Sequence, residues 1–132
     1  MARPSSPCVV YIAETDTSVL EALTRLIDSA GLEARPCTSV EAFLDAAAAD
    51  KAVRGCALFD LGDRTLRAPD VRARLHRLSA KVPLVALTVK EGHEILLRAR
   101  ALGAHACFRK PVDAAALLDA ILWVTQPPAQ VS

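Results

Sequence analysis

Four polar residues stand at the ends of four apolar runs, and their types belong at a site where something binds. Cys56-Ala57-Leu58-Phe59 ends on the carboxylate of Asp60, and Val9-Val10-Tyr11-Ile12-Ala13 stops at Glu14. Leu84-Val85-Ala86-Leu87 stops at Thr88, and Ala106-Cys107-Phe108 stops just before Lys110-Pro111. Short apolar runs of this kind, the Asp60 run preceded by Gly55, read as strands buried on both faces of a parallel sheet. In one such sheet, two carboxylates, a hydroxyl and an ammonium meet at the carboxyl edge, where open α/β sheets bind their ligands. Any buried strand must end on something polar, so one terminal Asp or Thr means little, and chance supplies two of the four. The full set on four different strands argues against a merely structural origin.

The elements that must position these residues are legible in chain order. The first strand covers about Cys8 to Ala13 and gives way to the corner Glu14-Thr15-Asp16. Val19, Leu23, Leu26, Ile27 and Ala30 then repeat at helical spacing, with Thr17 or Ser18 as cap and Gly31 as the stop. Leu32 to Cys37 is a second strand, in which Glu33 and Arg35 alternate with Leu32 and Ala34 as on a sheet edge. Thr38 and Glu41 form a capping box for a helix carrying Val40, Phe43, Leu44 and Ala47. After Asp60 the stretch 61–68 has no clear period. Pro69 suits the first turn of a third helix with Val71, Leu75 and Leu78 inward and Arg72, Arg74 and Arg77 in water. Pro83 leads into the fourth strand, Glu91 to Leu102 form a fourth helix ended by Gly103, and Ala104 to Phe108 form the fifth strand. A last helix starts near Asp113, carries Leu117, Leu118, Ile121 and Leu122, and is stopped by Pro127-Pro128. Five strands alternating with five helices through short loops require a parallel α/β sheet with right-handed crossovers and helices on both faces.

Composition narrows the function classes. A chain of 132 residues, 52% hydrophobic and 23% charged, buries a core as one domain without metal or disulfide staples. We divide it into a disordered N-terminus (1–7), the domain (8–124) and a C-terminal tail (125–132). A net charge of +1 with interspersed signs gives no footprint for nucleic acid. No apolar run reaches membrane length and the start lacks the apolar segment of a signal peptide, so a cytoplasmic location without membrane contact is expected. Cys8, Cys37, Cys56 and Cys107 lack the paired spacing of zinc sites and read as small buried hydrophobes, with a redox role as the alternative. His76, His93, His105 and Trp123 read as surface or core residues. Leu96 and Leu97, beside Arg98 and Arg100, fit a partner surface and helix packing equally well.

From about Val9 to Leu122 the chain resembles the receiver domains of bacterial two-component response regulators, the FixJ-like group in particular. The carrying segments are Val10-Tyr11-Ile12, Ser18-Val19-Leu20-Glu21-Ala22-Leu23, Gly55-Cys56-Ala57-Leu58-Phe59-Asp60-Leu61, Pro83-Leu84-Val85-Ala86-Leu87-Thr88 and Lys110-Pro111-Val112-Asp113. The resemblance implies a (βα)5 flavodoxin-like three-layer sandwich whose five-stranded parallel sheet has the order 2-1-3-4-5. It also implies transfer of a phosphoryl group from a histidine kinase or phosphotransfer protein to Asp60, the phosphoacceptor and nucleophile. Magnesium would be held by Glu14, Asp60 and the backbone carbonyl of Gly62. Thr88 would hydrogen-bond a phosphoryl oxygen and Lys110 would pair with it as a point charge, with the Lys110-Pro111 bond cis and pointing the lysine over the pocket. A downstream protein target would receive the signal. A homodimer through the last two helices and the fifth strand would be a further association.

Several residues depart from the family pattern. Thr15 replaces a carboxylate that ligates the metal directly, so magnesium should bind weakly; Glu14 is one methylene longer than the usual aspartate, and Asp16 is close by. Asp63 and Arg64 replace an apolar residue and a proline. Val89 replaces a small residue and would narrow the entrance for a phosphodonor. Cys107 stands where an aromatic is expected, with Phe108 one place on and so on the opposite face. Two functions remain in view. One is a stand-alone, phosphorylatable response regulator, catalysing at most its own aspartyl phosphorylation, whose effect passes through a partner unless the chain is a fragment. The other is a pseudo-receiver adaptor that binds partners independently of phosphorylation. A flavodoxin-like enzyme or cofactor binder has little support, because no loop is rich in glycine or aromatics as a phosphate or flavin cradle would be.

Overall fold

The computed structural model describes residues 8–50 and 55–126. The expected disordered segment 1–7 and the helix stop at Pro127-Pro128, with most of the expected tail, lie outside the described residues. The five strands are β1 (Val9–Ala13), β2 (Glu33–Cys37), β3 (Gly55–Asp60), β4 (Leu84–Thr88) and β5 (Ala104–Arg109). Between and after them run α1 (Thr17–Ser29), α2 (Val40–Ala49), α3 (Pro69–Leu78), α4 (His93–Ala101) and α5 (Ala114–Thr125). All strand pairs are parallel and the sheet order is β2-β1-β3-β4-β5. This is the α/β architecture and strand order expected from the sequence.

The two-residue period of the strands divides the core into two layers. Val10, Ile12, Cys56, Leu58, Val85 and Leu87 pack under α1 and α5, where Leu23, Ile27, Leu117 and Ile121 meet them. Val9, Tyr11, Ala57, Phe59, Leu84 and Ala86 face the other way, against Phe43 and Leu44 of α2, Val71 and Leu75 of α3 and Ala99 of α4. Burial of a side chain such as Phe59 contributes about 1.5–3 kcal/mol. Gly55 has a packing reason: a Cβ there would sit 1.7 Å from the Val9 carbonyl oxygen of the paired strand, so no other residue fits without moving β1. At the start of α4, Gly92 has φ +119°, a conformation side chains other than glycine's rarely adopt.

The helix starts differ from the sequence reading in a consistent way. Asp16, not Thr17 or Ser18, caps α1, its side chain accepting from the Ser18 and Val19 amides. Ser39, not Thr38, caps α2 by accepting from Ala42. In both places several good capping residues stand side by side, and local composition cannot choose among them. β2 begins at Glu33 and not Leu32, α4 at His93 and not Glu91, and β5 continues through Arg109. The edge strand β2 carries Glu33, Arg35 and Pro36, which discourage pairing with another chain. Arg74, expected in water, pairs with Asp45 of α2 at 2.9 Å, and Arg72 donates to the Leu66 and Arg67 carbonyls.

Candidate functional site

The carboxyl edge of the sheet brings Glu14, Asp60, Thr88 and Lys110 together, the first three at the ends of the buried strands β1, β3 and β4 and Lys110 after the half-buried edge strand β5. Leu58 and Phe59 are completely buried, so β3 can leave the core only at its end, where Asp60 retains partial exposure. The Asp60 Oδ1 atom accepts from the Gly62 amide at 2.9 Å and lies 3.5 Å from the Lys110 ammonium. Lys110 is held beside Thr88 by its own backbone, whose N–H donates to the Thr88 carbonyl at 2.7 Å. The Lys110-Pro111 peptide bond is cis. Thr88 Oγ1 accepts from the Lys90 amide at 3.0 Å, folding the start of the β4–α4 loop back over the strand end.

Glu14 is the most enclosed of the four, with a side chain 1% exposed. Its Oε1 accepts from Lys110 Nζ at 2.5 Å and its Oε2 from the Asp16 amide at 3.2 Å. A buried carboxylate requires such partners, because losing water without a counter-charge costs several kcal/mol. The ammonium of Lys110 therefore stands between two carboxylates and is bound more closely to Glu14 than to Asp60.

The loop after Asp60 holds a residue whose role the sequence did not disclose. Asp63 is 3% exposed. Its Oδ2 accepts from the Val40 amide at the start of α2 at 2.7 Å, and its Oδ1 from the Thr65 amide and hydroxyl at 2.8 and 2.7 Å. It caps a single tight helical turn, Arg64–Arg67, and lends a second acceptor to α2. Its own N–H donates to the Asp60 carbonyl at 3.1 Å, and the Leu61 N–H to the Leu87 carbonyl at 2.8 Å. The loop that carries Gly62 is thereby tied to β4 on one side and to α2 on the other. An aspartate two residues before a threonine in a stretch without period is the local signal of such a turn.

The other departures fall around this centre. Thr15 and Arg64 are exposed, and Val89 is 67% exposed. Cys107 and Phe108 belong to opposite layers of the core, Cys107 to the α2, α3 and α4 side and Phe108 to the α1 and α5 side. Beside Cys107 lies a cavity of about 380 Å³ lined also by Thr88, Ile95, Leu96 and Arg109. Arg109 forms an ion pair with Glu91 at this cavity, both side chains exposed. Burial pushes the thiols of Cys37 and Cys107 up and that of Cys56 to about 12, so the fold disfavours their thiolate forms.

The magnesium ion implied by the resemblance would need oxygen ligands from Glu14, Asp60 and Gly62. As arranged, these donors do not fit one. Each Glu14 oxygen already accepts a hydrogen bond, Oε1 from the Lys110 ammonium that a metal would have to replace, Thr15 is neutral and exposed, and Asp16 holds its Oδ1 on the α1 amides. Among the described residues no three His, Cys, Asp or Glu side chains are grouped to hold a metal ion.

With this geometry in hand, comparisons with known proteins place the chain. The family described as the response regulator receiver domain matches residues 10–122. The response regulator protein TmoT of Ectopseudomonas mendocina is 31% identical over 113 residues, 86% of this chain and 50% of that protein. The transcriptional regulatory protein FixJ of Azorhizobium caulinodans is 33% identical over 117 residues, 85% of this chain and 52% of that protein. The chain thus spans about half the length of these curated relatives. Among solved structures, a response regulator receiver protein from Burkholderia phymatum superposes with a TM-score of 0.74 at 27% identity, covering 92% of this chain and 99% of that one.

Proposed function

Because the chain belongs to the response regulator receiver domain family, we propose that it accepts a phosphoryl group on Asp60 from a histidine kinase or phosphotransfer protein and signals through a downstream protein partner. The observation that carries this reading is the Asp60 carboxylate itself. Its Oδ1 is fixed by the Gly62 amide and lies 3.5 Å from the Lys110 ammonium, and Thr88 ends β4, the strand paired with β3. With Oδ1 so engaged, Oδ2 attacks the phosphorus. The new O–P bond forms as the bond to the donor's imidazole nitrogen breaks, and the electron pair leaves on that nitrogen. Lys110 turns from Glu14 toward the transferred phosphoryl as a point charge, and the Thr88 hydroxyl donates to one of its oxygens.

Of the exposed large hydrophobics, Leu96, Leu97, Leu122 and Trp123 lie on α4 and α5 and Val89 lies just after β4, which supports these two helices and β5 as the surface for a protein partner or a second copy. No helix among the described residues is long and apolar enough to cross a membrane, and we place the chain's action in the cytoplasm. A second reading, a pseudo-receiver adaptor that works without phosphorylation, is favoured by the Glu14–Lys110 pair and by Thr15. Treatment with acetyl phosphate followed by borohydride tests the first reading, since reduction of an aspartyl phosphate leaves homoserine in the peptide containing residue 60. Finding no homoserine there would favour the adaptor.

A further inference from the structure

We propose that the Lys110 ammonium is the resident counter-ion of Glu14 and Asp60 and that it excludes divalent cations, so that lysine and metal are alternative occupants of one seat. This inference stands whether or not Asp60 accepts a phosphoryl group, because it concerns the charge balance of the pocket alone.

Three observations carry it. Lys110 Nζ is 2.5 Å from Glu14 and 3.5 Å from Asp60, so it fills the space both carboxylates face. The Glu14 side chain is 1% exposed and each of its oxygens already accepts a hydrogen bond, Oε1 from Lys110 and Oε2 from the Asp16 amide, so an arriving ion must displace the ammonium to reach Oε1. The neighbouring side chains are engaged elsewhere or uncharged: Thr15 is neutral and exposed, Asp16 holds its Oδ1 on the α1 amides, and Asp63 accepts from Val40 and Thr65. Two carboxylates and one ammonium leave a net charge of about −1 at the pocket, too little to attract a divalent ion while the ammonium remains. Magnesium also demands near-octahedral oxygens at short distance, and an ammonium against Glu14 occupies the position of one of them.

The converse follows from the burial of Glu14. If Lys110 is made neutral, an enclosed carboxylate loses its partner, and a cation from solution becomes the group that restores the balance. The Lys110→Met variant should therefore gain magnesium affinity as it loses stability. The experiment is urea unfolding of the wild type and of Lys110→Met over a magnesium chloride series, with sodium chloride at matched ionic strength as the blank. A ligand that binds only the folded state raises the midpoint by an amount set by its concentration and dissociation constant. The wild-type midpoint is expected to follow the sodium blank, and the Lys110→Met midpoint to rise above it with a half-saturating concentration at least about tenfold lower than any wild-type response. Equal magnesium responses, or no response in Lys110→Met, would overturn the proposal. Lys110→Gln, which keeps a hydrogen-bond donor for Glu14, is measured beside it. Failure of both variants to fold even in magnesium also counts against the proposal, since the metal then does not replace the ammonium.

Discussion

Asp63 offers a direct test of how the acceptor loop is held. Replacing it with alanine removes the acceptor for three donors at once: the Val40 amide, the Thr65 amide and the Thr65 hydroxyl. Loss of an N-cap costs about 1 kcal/mol, and two caps depend on this carboxylate, although α2 keeps the Ser39 hydroxyl. A third, side-chain hydrogen bond adds about another 1 kcal/mol, while the desolvation of a buried charge is relieved and offsets part of the sum. We expect a net loss of about 2–3 kcal/mol, which at a urea slope near 2 kcal/mol/M lowers the midpoint by about 1–1.5 M. Asp63→Asn retains one acceptor oxygen and should lose about half as much. Urea unfolding followed by far-ultraviolet circular dichroism measures both variants. A loss below about 0.5 kcal/mol for Asp63→Ala, the range of an ordinary surface substitution, would refute the role assigned to this residue.

Two further outcomes follow from the same reasoning. Thr15→Asp adds an anionic oxygen to a site one carboxylate short, so calorimetric titration should show magnesium bound more tightly than by the wild type, whereas equal affinity would mean that the added carboxylate does not become a ligand. Burial, with the hydrogen bond from Tyr11 to Asp50 adding to it, pushes the Tyr11 phenol up from 10.0 to about 12. The folded state therefore favours the neutral phenol, and this contribution is intact below pH 10 and disappears as pH rises toward 12. Tyr11→Phe should be less stable at neutral pH and should lose less of its stability across that alkaline interval; an equally steep loss would show that Tyr11 does not govern it.

The fold was legible because β1, β3 and β4 are nearly continuous apolar runs and α1 and α5 keep a clean helical period. Those patterns depend only on which residues must leave water. The same logic located Glu14, Asp60 and Thr88, each the first polar group after a buried apolar run, whereas Lys110 follows Arg109 at the end of the half-buried β5. What stayed hidden was pairing. That Lys110 reaches Glu14 more closely than Asp60 depends on side-chain length and on the path of the β5–α5 turn, neither of which has a local signature. Asp63 was visible as a departure from a pattern but not as a cap, because its partner Val40 is 23 residues away. The choice of Asp16 over Thr17 and of Ser39 over Thr38 was likewise made by tertiary placement among near-equal local options.

The central claim is that Asp60 is a phosphoacceptor, and intact-mass measurement after incubation with acetyl phosphate tests it most directly. The wild type should gain the mass of one phosphoryl group, slowly, and Asp60→Asn should gain none, because an amide of the same shape is not a nucleophile for this transfer. Thr15→Asp combined with Val89→Ala should label faster, as the first adds a carboxylate and the second opens the approach. No added mass on the wild type or on that double variant, with or without magnesium, would contradict the claim and leave the adaptor reading in its place.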